Sequence, residues 1–121
     1  MKKTSPKQKL INECVALATA IKLCEFPKCV FCNQPAITCH HFIRQSRSNY
    51  LRCNPKNLIP ICQKCHARIH LGQEEQIMTL QLRNMYGKKW ADEMETGRHK
   101  IIKGDIFCWK KMKILLEDEI K

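Results

Sequence analysis

The sequence predicts an α+β fold: a small metal-stabilised core of two short strands and a helix, flanked by N- and C-terminal helices. Three observations predict it. Two Cys-x-x-Cys pairs, Cys29/Cys32 and Cys62/Cys65, stand at knuckle spacing. Four of the five histidines, His40, His41, His66 and His70, lie between or just after those pairs. On either side of this segment, apolar residues recur at the three-to-four spacing of amphipathic helices.

A chain of 121 residues is expected to be a single domain, 1–121. A cysteine-rich segment of about forty residues buries too little apolar surface to fold unaided, so a metal is the expected support. The 22 Lys+Arg against 11 Asp+Glu give a formal net charge of +11, which favours a polyanionic partner. Nucleic acid is the commonest. The first residues, Met1-Lys2-Lys3-Thr4-Ser5-Pro6, carry no apolar signal-peptide core, and no apolar run is long enough to span a membrane. The nine cysteines form an odd count that suits disulfide pairing poorly. A reducing, cytoplasmic setting is expected.

Ser5-Pro6 reads as an N-cap followed by proline in the first helical turn. Leu10, Ile11, Cys14, Val15, Ala18 and Ile21 then form one stripe, predicting a helix over 6–24 that Pro27 ends. Two short strands are expected, at Ala36–Thr38 and Leu58–Ile61. A long basic loop carrying Arg44, Arg47, Arg52 and Lys56 joins them. Residues 63–71 read as a helix that Gly72 stops. A second helix is expected over 73–86, with Ile77, Leu80 and Met85 inward and Gly87 as its stop. A short helix over 88–96, a glycine-containing loop over 97–104 and a final helix over 105–121 follow. That last helix places Ile106, Trp109, Met112, Leu115, Leu116 and Ile120 on one stripe.

Cys29, Cys32, Cys62 and Cys65 together supply the four thiolates of a structural Zn²⁺, which would pin the strand pair to the following helix. Cys14, Cys24, Cys39, Cys53 and Cys108 are expected to be mostly buried thiols. On a helix, His66 and His70 share a face, whereas Cys65 points about 100° away from His66. That difference in direction argues for a second metal site separate from the zinc. His40 can complete a three-histidine set with open coordination positions, as catalysis requires. His41 is then the spare imidazole, suited to take a proton from an attacking water. Neighbours on a regular strand point to opposite faces, so a strand end or bulge is expected at this pair.

Cys-x-x-Cys, His-His, Asn and Cys-x-x-Cys-His in this order resemble the HNH endonucleases of the ββα-metal, treble-clef-like fold. Asn57 stands sixteen positions after His41 and nine before His66, a spacing similar to the nuclease domains of the DNase colicins. The zinc knuckles resemble the four-cysteine branch common in phages and mobile elements. Leu51-Arg52-x-x-Pro55-x-Asn57 is more loosely similar to phage Rap/NinG-type recombination nucleases. The resemblance covers about 29–72. It implies a core over 28–72; the N-terminal helix within 1–27 and the helical extension over 73–121 come from the apolar periodicity and are not accounted for by the resemblance. It also implies His41 as general base, His40, His66 and His70 as ligands of a catalytic divalent ion, and Asn57 as a brace for the loop that orients the base. Mg²⁺, Mn²⁺, Ni²⁺ and Zn²⁺ all remain candidates for that ion.

The expected function is therefore metal-dependent hydrolysis of DNA phosphodiesters, on duplex or branched DNA. Arg44, Arg47, Arg52 and Lys56 would contact phosphates without reading sequence. Tyr50 would either stack on a base or pack under the loop. A homodimer through the helical extensions is a further expectation. The alternative is a non-catalytic zinc-knuckle module binding DNA or protein, which needs the cysteines and the charge but has no use for His41 or Asn57.

Overall fold

Among the described residues the sheet has two strands, and helices cover both of its faces. The computed structural model describes residues 4–100 and 105–120. Helix α1 (Pro6–Glu25) opens with Ser5 as N-cap, its Oγ accepting from Gln8 N at 3.1 Å. Strand β1 (Thr38–His41) pairs antiparallel with β2 (Leu58–Ile61), placing Thr38 opposite Ile61 and His41 opposite Leu58. Between them lies the short helix α2 (Asn49–Arg52). Helices α3 (Gln63–His70), α4 (Glu75–Tyr86), α5 (Lys88–Gly97) and α6 (Ile106–Ile120) follow. No described helix is long and apolar enough to cross a membrane.

Alternation along the strands sends neighbours to opposite faces. On one face, Cys39 and Leu58 join Ile11, Cys14 and Ala18 of α1 and Trp109 and Leu116 of α6 in the larger core. On the other, Ile61 meets Cys62, Cys65 and Ile69 around α3 and Met78 of α4, beside Cys29. A third cluster gathers Ile43, Leu51 and Met94, with Phe42 and Trp90 packed against it. The fold class is α+β, mostly helical, as the sequence predicts at that level.

Several expectations need correction. The first strand begins at Thr38 and runs through His41, rather than lying at Ala36–Thr38. Residues before it belong to the first knuckle: Ala36 N donates to Pro27 O at 2.9 Å, and Lys28 bridges Pro35. The inward residues of α4 are Met78 and Leu82, while Ile77, Leu80 and Met85 are exposed. Apolar residues lie all around this helix, so periodicity alone gave two possible phases. Packing selects the one that carries Met78 onto the cysteine-lined core. In α6, Trp109 and Leu116 are buried as expected and Met112 packs against the core, but Leu115 is exposed. The 101–104 part of the expected loop and the side chain of Ile120 lie outside the described residues.

The segment between the strands is more ordered than a loop. It holds 3-10 turns at Gln45–Arg47 and Pro55–Asn57 around α2. Ser48 caps α2, accepting from Leu51 N at 3.1 Å, and Asn54 caps the second turn, accepting from Lys56 N at 3.0 Å. Both are side-chain caps of the kind serine and asparagine favour, so the signal was present in the sequence.

Candidate metal centres and the histidine cleft

The first knuckle is a tight turn. Cys29 N donates to Gln34 O at 2.7 Å and Asn33 N to Cys29 O at 2.9 Å, with Asn33 at φ 64°, a conformation asparagine tolerates better than most residues. The second knuckle starts α3: Cys62 is its N-cap, and its Sγ accepts from Cys65 N at 3.4 Å. These two turns bring the sulfurs of Cys29, Cys32, Cys62 and Cys65 within 4.8 Å of one another. The Sγ atoms of Cys32 and Cys62 are 3.5 Å apart. Zn–S bonds of about 2.3 Å in a tetrahedron set sulfurs roughly 3.8 Å apart, so this cluster can hold a zinc ion with little movement. The Cys65 amide pulls the Cys62 thiol down to about 7, whereas burial pushes Cys65 up to about 12. A buried thiol that resists ionising alone is stabilised as thiolate by a bound cation.

A second set forms on a different face of α3. The ligand nitrogens of His40, His66 and His70 also lie within 4.8 Å of one another. His66 and His70 present Nε2 atoms 3.0 Å apart, and the His40 ring sits edge-on to both, with centroids at 6.1 and 5.7 Å. Burial, followed by the neighbouring imidazoles His70, His66 and His41, pushes the His40 pKa down to about 4. His66 is lowered as well, by burial and then by His70. Neutral imidazoles are the form that binds metal. Thiolates and imidazoles thus fall into two distinct sets although Cys65 and His66 are adjacent.

His41 follows His40 as the last residue of β1, so the strand ends at this pair, one of the two expected arrangements, and it does so without a bulge. The two rings leave opposite faces of the strand, yet both line one cleft. This cleft, of about 590 Å³, is bounded by Val15 and Thr19 of α1, His40, His41, Arg44, His66 and His70. Because β1 pairs on one side only, its free edge opens the cleft to residues of both faces. His41 Nε2 lies 2.9 Å from Arg52 O. A carbonyl only accepts, so Nε2 carries the proton of this bond and Nδ1 holds the lone pair. Burial holds the His41 pKa below its usual value, against the opposing effect of the Arg52 carbonyl.

Asn57 is fully buried. Its Oδ1 accepts from Ile43 N at 2.7 Å, and its Nδ2 donates to Ile43 O at 3.0 Å and Leu51 O at 3.2 Å. It therefore clamps the inter-strand segment at two points: two residues after His41, and one residue before the carbonyl that holds His41.

The four basic loop residues differ in position and attachment. Arg44 lines the cleft and is forked by Glu75 at 3.0 and 3.1 Å. Lys56 pairs with Glu93 at 2.9 Å. Exposed pairs of this kind are worth about 0–1 kcal/mol, so a phosphate can displace them. Arg52 donates to Gln45 O at 2.9 Å and lies 5.7 Å over the Trp109 ring, which makes it a packing residue of the loop. Arg47 is exposed. Tyr50 packs over Gly97, where a Cβ would stand 3.2 Å from its Cε1, and Lys100 Nζ lies 4.6 Å over its ring. Of the remaining cysteines, Cys14, Cys39 and Cys53 are buried thiols, but Cys24 and Cys108 are exposed. Sequence reasoning missed Glu75 as the partner of Arg44 and the contribution of α1 to the cleft wall.

Comparison of the chain with protein-family models, curated proteins and solved structures finds no match. The functional reading therefore rests on the geometry.

Proposed function

We propose that the protein is a metal-dependent DNA endonuclease of the HNH type, its core built on β1, β2 and α3 and pinned by a zinc on the four cysteines. The observation that carries this reading is the meeting of three imidazoles, on nitrogens within 4.8 Å, with a fourth histidine anchored to a backbone carbonyl in the same cleft. A purely structural histidine cluster has no need of that fourth ring.

His40, His66 and His70 would hold the catalytic divalent ion. When bound, that ion supplies Lewis-acid stabilisation of the phosphoryl oxygens and of the departing 3′ oxygen. His41 takes the proton of the attacking water on Nδ1, since Nε2 is committed to Arg52 O. The imidazolium that results is stabilised by that same carbonyl. Asn57 keeps the carbonyl in place by holding Leu51 and Ile43. Arg44, released from Glu75, contacts a phosphate at the cleft mouth, and Arg47 and Lys56 add sequence-independent attraction. By family resemblance the products carry 5′-phosphate and 3′-hydroxyl ends.

Plasmid nicking with Mg²⁺, Mn²⁺, Ni²⁺ or Zn²⁺, comparing wild type with His41→Ala, tests the reading. A rate at least about 100-fold lower in the variant is expected for loss of a general base. Cleavage undiminished by His41→Ala removes the base assignment. Binding without cleavage in every metal favours the zinc-knuckle binding module instead.

A further inference from the structure

Across the sheet from the histidine cleft, the outer side of β2 carries a second concavity that the nuclease reading does not use. It consists of two adjoining pockets, of about 330 and 350 Å³, which share Lys22 and Tyr86 as a common wall. Both volumes lie at the lower end of the roughly 300–1,000 Å³ typical of small-ligand pockets. The first is floored by Pro27, Val30 and Pro60 beside Lys28, the second by Leu58 and Trp90 beside Lys56 and Lys89.

The aromatic rings here are held in a stack. Trp90 donates Nε1–H to Lys56 O at 2.9 Å, which fixes its plane. Phe42 lies 4.5 Å behind it, and Tyr86 lies 4.8 Å in front at an interplanar angle of 31°. Phe42 and Trp90 belong to the packing of the third cluster, but Tyr86 ends the stack exposed, between the two pockets. Four lysines line the concavity, Lys22, Lys28, Lys56 and Lys89, against Glu25 and Glu93. Among the described residues, Lys56 is the one of these four in an ion pair, with Glu93 at 2.9 Å. Lys22 Nζ lies 4.7 Å over the ring of Phe26, which lines the first pocket.

We propose that this groove binds an unpaired DNA strand, with bases stacking on Tyr86 and the lysines on the phosphates. Chemistry selects a single strand over a duplex. A tyrosine face can stack only on a base whose own face is free, and paired bases hide theirs inside the helix. Rows of lysine beside an aromatic platform are the pattern of sequence-tolerant single-strand binding. Position adds a consequence for the nuclease. Leu58, which lines this groove, stands directly opposite His41 in the sheet. Groove and cleft are therefore about one strand spacing apart, roughly 5 Å plus side chains. DNA with a single-stranded arm can occupy both at once, placing the scissile bond near the junction of paired and unpaired segments. This consequence rests on the nuclease reading; the binding itself does not.

The test uses full-length His41→Ala protein, so that nothing is cut, and a labelled oligothymidine of about 16 nucleotides. Fluorescence anisotropy is followed against salt, with a duplex of equal length in parallel. Tyr86→Leu is expected to weaken the single strand at least about fivefold, the lower end of a stacking loss, and to leave the duplex unchanged. Tyr86→Phe, which keeps the ring, should retain binding. Lys89→Ala, at an exposed position, should reduce the salt slope for the single strand by about 0.7. Emission from Trp90 should fall on binding, since it lies directly beneath Tyr86. Equal effects of Tyr86→Leu on single strand and duplex, or none on either, overturn the proposal. So does an unchanged salt slope in Lys89→Ala, a surface variant whose folding is not in question. Loss of nicking in the catalytic test with oligothymidine binding intact would separate failure of the nuclease reading from failure of this one.

Discussion

Replacing Asn57 by alanine should damage the protein more than any loop substitution of similar size. The side chain is fully buried and makes three hydrogen bonds, at 2.7, 3.0 and 3.2 Å, all to main-chain atoms of Ile43 and Leu51. At about 0.5–1.5 kcal/mol net per bond, its loss costs about 1.5–4.5 kcal/mol, and groups left buried without partners push toward the upper end. A domain of this size has only about 5–15 kcal/mol of stability, so about 3 kcal/mol is a substantial share. Urea denaturation followed by circular dichroism measures it. Asn57→Asp refines the argument because it keeps the shape. One oxygen can still accept from Ile43 N, but the other would face two carbonyl oxygens and has no proton to give unless the carboxyl is neutral. Burial and those carbonyls raise the folded pKa above the usual value near 3.9, so the residue favours the fold at low pH and loses that contribution as pH rises through the folded pKa. Asn57→Asp should therefore be closest to wild type in acid and worst at neutral pH. A cost below about 1 kcal/mol for alanine, or an aspartate variant insensitive to pH, would refute the brace.

Two further outcomes follow from the separation of the metal sets. Cys29→Ser should release a tightly held zinc and lower thermal stability, whereas His66→Ala should retain that zinc, as measured by metal analysis of the purified chains; zinc lost from His66→Ala would mean that the sets are one site. The acid limb of the nicking profile should lie below pH 6.5, because burial lowers the His41 pKa and a base must be neutral to act, so activity persists to lower pH and fails only as His41 takes up a proton. A limb above pH 6.5 that moves with no change at His41 would contradict this.

The sequence located the two cysteine and histidine clusters better than the packing. Knuckle spacing and the four-residue interval of His66 and His70 are local, and local geometry fixes what they can share, so both ligand sets assemble as their spacing implied. The second strand and the helix boundaries were legible for the same reason. Three things were not. The phase of α4 depends on which of several apolar faces meets the cysteine core, a tertiary choice that gives Met78 and Leu82 the inside. The position of β1 depends on its register against β2, which periodicity over four residues cannot set. The path by which His40 and His41 line one cleft depends on β1 being an edge strand, a property of the whole sheet rather than of the dipeptide.

The two candidate metal clusters are not independent, although their side chains are distinct. Helix α3 has only eight residues and supplies Cys65, His66 and His70, with Cys62 at its N-cap. Isolated helices shorter than about 12–15 residues are marginal in water, so α3 needs tertiary support to hold its side chains in place. Ile69 supplies apolar packing on the same face of the sheet as the cysteines, while Cys62 and Cys65 anchor the first turn to the knuckle at Cys29 and Cys32. The histidines sit at the far side of the same two turns. Once α3 is fixed at its first turn and along its buried stripe, His66 and His70 retain one freedom, their own rotamers, and His40 on the sheet meets them without further ordering of the backbone. A zinc on the cysteines would thus preorganise the histidine cleft through a rigid element common to both. On the proposed nuclease reading, this would let a segment of some forty residues hold a precise site without a large core of its own.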